Sequence, residues 1–467
     1  MIEIDVLGPT GEYRSRNREL VTDSAGVAVA ELAIAPKLYV ARALGAQRGA
    51  APLPVPRRAR ALAQAANVFA DGVVAGLGFE AYVQLASRVS GLPISATRHG
   101  AREVVDGLAT ACDGLDPARP AGVTADWRDH RGGAGAVWAR RGEVFAVLAS
   151  GNAPGVHSLW PQALALGYRV AVRPSRREPF TGHRLVHALR QSGFRDADAV
   201  FLPTDHAGAD TLVAEADLAM VYGGQEVVDT YAGDPTVFVN GPGRSKILIT
   251  KDRDWRDHLD VIVDSVAHLG GMACVNATAV LCEEGADELA TALAERLSSI
   301  VPLPITDESA VLPTQPLAKA QALADYLASK AVATTAVLGA DQIVADLGDG
   351  QAALRPAVHL LAAPDPAGLN VELGFPCVWV SPWSREDGVG PLRHSLVLTV
   401  VTGDEALIDA VVAEPSISTV FCGRYPTHHS APGVPHDGFL ADFLMRCKGF
   451  ARDQPSGRNR FSLPVDS

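Results

Sequence analysis

The sequence predicts an α/β protein built from two doubly wound parallel-sheet domains. Two observations carry this. From Glu143 onward, short β-branched runs alternate with amphipathic helical stretches, the pattern of a parallel sheet covered by helices. The alternation then restarts after Asn240-Gly241-Pro242-Gly243, a turn that can continue neither strand nor helix. Two such units fit a chain of 467 residues, at ~100 to 200 residues per domain.

Ahead of the first unit, Arg57 to Ala75 and Phe79 to Val89 repeat Leu, Ala and Val at helical spacing and read as a helical prelude. The first unit reads as strand Val144 to Ala149, helix Val156 to Leu166 stopped by Gly167, strand Arg169 to Val172, and helix Thr181 to Gln191 with Gly193 beyond it. It continues with strand Ala199 to Leu202, helix His206 to Glu215 and strand Ala219 to Tyr222. The second reads as strand Lys246 to Ile249, helix Trp255 to Leu269, strand Thr278 to Leu281, and helices Ala286 to Ile300 and Pro316 to Lys330. Strands Val358 to Leu361, Cys377 to Val380, Leu396 to Val401 and Ser418 to Phe421 complete it, with helix Glu405 to Glu414 before the last. The expected division is 1–239 for the prelude and ligand-binding domain, 240–423 for the second domain, and 424–467 for a polar tail rich in His and Pro.

Composition bounds the function. The chain is 48% apolar and 20% charged, with a net charge of −12. That is a globular protein, and its sign is wrong for wrapping nucleic acid. The start carries acidic residues where a signal peptide is basic, and no apolar run reaches the ~18 residues of a membrane span. A soluble, cytoplasmic protein is expected. Cys112, Cys274, Cys282, Cys377, Cys422 and Cys447 lack paired spacing, so they read as thiols in a reducing compartment.

Several segments could carry chemistry. Gly270-Gly271-Met272-Ala273-Cys274-Val275-Asn276 sets a cysteine among small residues between a helix and a strand. Backbone N–H groups in such a turn lower a thiol's pKa and make it a nucleophile, although taken alone the segment fits a buried core thiol better. Asn152, in Ser150-Gly151-Asn152-Ala153-Pro154-Gly155, follows the first strand and is either an oxyanion donor or a plain turn residue. Arg173, Arg176 and Arg177 surround Ser175 at the end of the next strand, where a phosphate site and a solvated charge run are both open. Gly241-Pro242-Gly243-Arg244-Ser245-Lys246 is like a phosphate loop only superficially. His428, His429 and His436 with Asp437 lack zinc-type spacing, and no metal is expected. His268 is a candidate proton donor, or packs beneath its helix.

In this order the segments resemble the aldehyde dehydrogenase superfamily over nearly the whole chain. Asn152 matches its oxyanion asparagine, Arg173-Pro174-Ser175 its Lys-Pro-Ser element at the adenine ribose, and Cys274 its nucleophile. Gly223-Gly224-Gln225-Glu226-Val227 is similar to the glycine turn at the cofactor pyrophosphate, with Val228 where that pattern has a later glycine. Glu372-Leu373-Gly374-Phe375-Pro376 is similar to Glu-x-Phe-Gly-Pro at the nicotinamide ribose, with Gly and Phe exchanged. Asn240, 34 residues ahead of Cys274, stands where hydrolytic members carry the glutamate that activates water. Asparagine takes no proton at neutral pH, so thiol exchange survives there and water attack loses its base.

Residues 143 to 185 also resemble the acyl reductase component of bacterial bioluminescence. That resemblance implies NADPH-dependent reduction of an acyl thioester, on acyl-CoA or an acyl-carrier protein, to an aldehyde. Cys274 would be the nucleophile, Asn152 the oxyanion donor, and Asn240 would replace the base. Arg173, Ser175, Arg176, Gly223 and Glu372 would hold the cofactor. An acyl-activating or carrier-protein partner is implied, as is a homodimer or homotetramer with Ala136 to Arg140 as an oligomerisation strand. Arg14, Arg16 and Arg18, or Arg57, Arg58 and Arg60, offer a local basic patch for an acidic carrier. Oxidation of an aldehyde to an acid, with another carboxylate as base, and a silent scaffold role remain open.

Overall fold

The computed structural model describes residues 1–129, 134–431, 433–435 and 437–452. Runs such as Val144–Leu148 and Cys377–Pro382 do not alternate apolar with polar residues, because helices cover both of their faces and bury them almost throughout. They lie in two seven-stranded sheets. The first has the order Val237–Asn240, Leu218–Tyr222, Val144–Leu148, Arg169–Arg173, Ala199–Phe201, Val6–Gly8, Gly11–Tyr13. Its first five strands pair in parallel, Val6–Gly8 pairs antiparallel with Ala199–Phe201, and Gly11–Tyr13 pairs antiparallel with Val6–Gly8. The second has the order Thr334–Leu338, Ala357–Leu361, Cys377–Pro382, Ala277–Cys282, Ser245–Ile249, Ser395–Val401, Ile417–Cys422, antiparallel only at Thr334–Leu338.

Successive residues of Val144–Leu148 feed opposite layers. Phe145 and Val147 pack with Phe69, Tyr82, Leu185 and Leu189, whereas Val144 and Ala146 pack with Leu44, Val200 and Leu212. The chain steps from Val144–Leu148 through Arg169–Arg173 to Ala199–Phe201, then returns to the other side of Val144–Leu148 at Leu218–Tyr222. The crevice at that reversal is where open α/β sheets bind ligands.

Four expectations are corrected. The prelude is not wholly helical: Val6–Gly8 and Gly11–Tyr13 extend the first sheet, and Ile2–Ile4, Ala28–Ala33 and Arg18–Thr22 form a small sheet of their own. The helix expected over Val156 to Leu166 is a 3₁₀ turn, Pro154–His157, followed by helix Pro161–Leu166, since Pro161 has no N–H for an i−4 carbonyl. The helix expected over Trp255 to Leu269 runs as α-helix only over Leu259–Ala267, because His268 is extended (φ −51°, ψ 133°) and Leu269 and Gly270 are left-handed. The described part of the tail carries a strand: Met445–Ala451 crosses back and pairs antiparallel with Ala134–Arg140, which also pairs with Val123–Thr124. None of the described helices is long and apolar enough to cross a membrane.

Candidate active site

Four strand ends of the first sheet and three loops of the second converge. Asn152 follows Val144–Leu148, Ser175 follows Arg169–Arg173, Gly223 follows Leu218–Tyr222, and Asn240 ends Val237–Asn240. From the other sheet come the segments before its central strands: Gly243 before Ser245–Ile249, Cys274 before Ala277–Cys282, and Glu372 ahead of Cys377–Pro382. The crevice therefore lies between the carboxyl edge of one sheet and the amino edge of the other.

The cysteine turn is folded around Asn276, which is 4% exposed. Its Oδ1 accepts from the Ala273 N–H at 2.8 Å, and its Nδ2 donates to the carbonyls of Ser265 at 3.0 Å and His268 at 2.9 Å. Gly271 has φ +73°, and a Cβ there would stand 2.4 Å from the Phe375 carbonyl carbon, so the turn requires glycine twice over. A Cβ on Gly243 would stand 1.6 Å from the Cys274 carbonyl oxygen, which the Ser245 hydroxyl also reaches at 3.2 Å.

Asn152 is oriented from both ends. The Ser150 hydroxyl donates to its Oδ1, and its Nδ2 donates to the Met272 carbonyl at 3.1 Å, leaving a second N–H beside the cysteine turn. The N–H groups of Cys274 and Val275 lower the Cys274 pKa as expected. Burial and the charges of Glu372 and Asp437 outweigh them, and the thiol is pushed up to about 12. The expectation of a lowered pKa is thus overturned. Glu372 accepts from the Arg244 N–H at 3.0 Å and is held from the same turn by Gly243; burial raises its pKa.

An aldehyde dehydrogenase family model matches residues 24–441. The chain belongs to the aldehyde dehydrogenase family. It is an oxidoreductase of that family, and no curated protein matches its sequence. Among solved structures it is similar to a mutant of the P. syringae indole-3-acetaldehyde dehydrogenase AldA in complex with NAD+, at 16% identity, a TM-score of 0.83 and 96% coverage of both chains. It is similar to the aldehyde dehydrogenase KauB from Pseudomonas aeruginosa at 16% identity, a TM-score of 0.81 and 96% of both chains. Aldehyde dehydrogenase 21 from Physcomitrella patens, in complex with succinate, aligns at 15% identity and a TM-score of 0.78, over 96% of this chain and 98% of its own. These likenesses establish the aldehyde dehydrogenase fold.

The residues expected to hold a cofactor have partners within the chain. Arg176 is ion-paired with Glu19 at 3.1 Å, and Arg173 donates to the Thr204 carbonyl at 3.4 Å. Ser175 accepts from the Arg177 N–H at 3.1 Å and lies close enough to Gly151 that a Cβ there would sit 2.5 Å from its Oγ. The Gly223 N–H donates to the Asn240 carbonyl at 3.1 Å. Val228, the departure from the glycine pattern, has room because a Cβ is missing at Gly241, where one would stand 2.6 Å from its Cγ2. Asn240 Nδ2 and Arg244 Nε are buried without hydrogen-bond partners among the described residues. Two orphaned donors in a crevice formed by strand ends fit a polar, phosphate-bearing dinucleotide.

Among the described residues, His428 and His429 do not join Asp437 in one group. His429 packs against Phe421 and Tyr425, at ring distances of 5.3 and 4.7 Å, and His436 lies outside the described residues. His428 meets Asp264, and Asp437 instead acts on Cys274 and Tyr222. His268 stacks on His428 at 3.8 Å; burial, then His428 and His99, lower its pKa to about 3, which leaves it no proton to donate near neutrality. Sequence reasoning missed four site residues. Asn276, Ser245, Tyr222 and Arg244 act through backbone carbonyls, an electrostatic approach or a distant Gln225, and no spacing in the chain encodes such contacts.

Proposed function

We propose that this protein reduces an acyl thioester, carried on coenzyme A or an acyl-carrier protein, to an aldehyde with NADPH. The observation that supports it is Asn240: its carboxamide nitrogen is buried without a partner among the described residues, at a strand end of the site, where hydrolytic members carry a carboxylate. Glu372 is turned toward the 243–244 turn, whose backbone N–H groups its carboxylate accepts from. The bound reduced nicotinamide supplies the hydride. Glu372 and Gly223 would position it, and Arg173, Ser175 and Arg176 would hold its adenosine end.

The chain's own residues do the rest. The Cys274 sulfur attacks the thioester carbonyl, and the oxygen takes up negative charge beside the second N–H of Asn152 and the Cys274 N–H. Collapse expels the carrier thiol and leaves an acyl-cysteine. With no base to raise a water nucleophile, the acyl-cysteine persists; hydride reaching its carbonyl carbon would leave an alkoxide held beside Asn152, which would release the aldehyde and expel Cys274 as its thiolate. A screen of acyl-CoA and acyl-carrier substrates tests this by following NADPH loss while trapping aldehyde. Turnover of aldehyde to acid with NADP+, without added thiol and with no thioester reduced, would overturn it.

That opposite outcome has its own support in Asp437, whose charge acts on both the Cys274 thiol and the Tyr222 hydroxyl. Under this second reading Asp437 is the base for water, and Asp437→Asn abolishes acid formation. Under the first it leaves aldehyde formation in place. An acidic carrier domain and an acyl-activating enzyme are the partners consistent with the first reading. Assembly into a homodimer or homotetramer would use the sheet containing Ala134–Arg140.

A further inference from the structure

We propose that Asp264, His268 and His428 form a binding site for one divalent transition-metal ion of the zinc class, outside the thioester chemistry. One ligand atom from each of these residues lies within 4.8 Å of the others. His428 Nε2 stands 3.4 Å from Asp264 Oδ2, about the ligand-to-ligand edge of a tetrahedron built on bonds of ~2.0 to 2.2 Å. The Asp264 and His268 spacing is i and i+4, so the end of helix Leu259–Ala267 sets both on one side.

The third ligand comes from far along the chain and is pinned in place. The Thr427 N–H donates to Ser265 Oγ at 3.1 Å, and the His268 carbonyl accepts from Asn276 at 2.9 Å, so the backbone on both sides of the cluster is fixed before any ion arrives. The opposite nitrogen, His428 Nδ1, has no hydrogen-bond partner among the described residues, so no hydrogen bond there holds the ring against turning. The His268 and His428 rings lie parallel at 3.8 Å beside the Asp264 carboxylate, and one ring must turn to direct its nitrogen at a shared ion. Two imidazoles and one carboxylate select zinc-class ions over calcium or magnesium, which take oxygen donors. Three protein ligands leave a solvent position. The ion would tie the turn before Cys274 to the segment that returns to the first sheet.

The test uses the full chain without a histidine tag, stripped by chelator and titrated with Zn2+ by calorimetry and with Co2+ by absorption. One equivalent is expected, with affinity falling at least roughly tenfold to a hundredfold in His428→Ala and Asp264→Asn, and a thermal midpoint that zinc raises in the native protein only. The Co2+ spectrum should lack a thiolate charge-transfer band. No stoichiometric binding, equal binding by variants of native circular dichroism, or a thiolate band placing the ion on a cysteine would each overturn the proposal. The spectrum of the native protein decides the case even if a variant fails to fold.

Discussion

The proposed nucleophile is Cys274, and its burial beside two carboxylates favours the thiol over the thiolate. Its alkylation should be slower at pH 7.5 than that of a free thiol and should keep rising beyond pH 9, since the thiolate fraction grows with pH up to a pKa of about 12. A rate that levels off below pH 8 would contradict this. Cys274→Ala should lose aldehyde formation with the fold intact, and an acyl thioester alone should add one acyl mass to the native peptide containing residue 274. Asn240→Glu should leak acyl-CoA to free acid without consuming NADPH, an increase of order a hundredfold when the new carboxylate is well placed. An unchanged lifetime of the acyl adduct, measured by mass spectrometry, would show that Asn240 does not guard the intermediate. For the cofactor, Arg176→Glu should cost roughly tenfold to a hundredfold in NADPH affinity. Glu19→Gln, which frees the Arg176 guanidinium from its ion pair, should improve it. Equal efficiency with NADH and NADPH in the native protein would remove the basis for both.

At the scale of elements, the cysteine turn and the returning strand carry the consequences. Asn276→Ala removes the acceptor of the Ala273 N–H and the donor to two carbonyls. Each orphaned buried group costs about 1 to 3 kcal/mol, so the urea midpoint should fall clearly and activity should fall with it. A variant as stable as the native protein would mean that the turn is held by packing alone. The helices and central strands were legible in the chain because their burial leaves a local periodicity. Strand Gly11–Tyr13, with Gly at its start and Glu in its middle, leaves none and exists only because Val6–Gly8 lies beside it. Met445–Ala451 is equally unmarked: most of its residues are exposed, and its pairing with Ala134–Arg140 supplies its hydrogen bonds.

For the molecule as a whole, buried histidines set the response to acid. Burial lowers His157 to about 4 and His183 to about 3, below the ordinary 6.5. The unfolded chain therefore takes up protons that the native state refuses. Stability present above pH 6.5 is lost as pH falls toward those values, and His157 alone accounts for about 3 kcal/mol. Glu178 acts with the opposite sign, because burial raises its pKa to about 6 and the native state gains a proton first between pH 6 and 4.5. The two histidines outweigh it. Urea midpoints should drop between pH 7 and 4.5, with a shallower slope in His157→Asn, whose carboxamide oxygen can still accept from Trp160 Nε1. A flat profile down to pH 5 would refute the balance.

By itself the sequence determined the two-sheet architecture and the place of the central strands, and its resemblance to a family singled out Cys274, Asn152, Asn240 and Glu372 as candidates. Each of these follows from local periodicity or from residue types in a fixed order along the chain. Only the tertiary structure decided that Glu19 pairs with Arg176, that Asp437 acts on Cys274 rather than joining the histidines, that His428 meets Asp264, and that the thiol's pKa goes up rather than down. Those outcomes depend on which side chains approach one another through space and on how much water burial removes from them, and a linear pattern records neither.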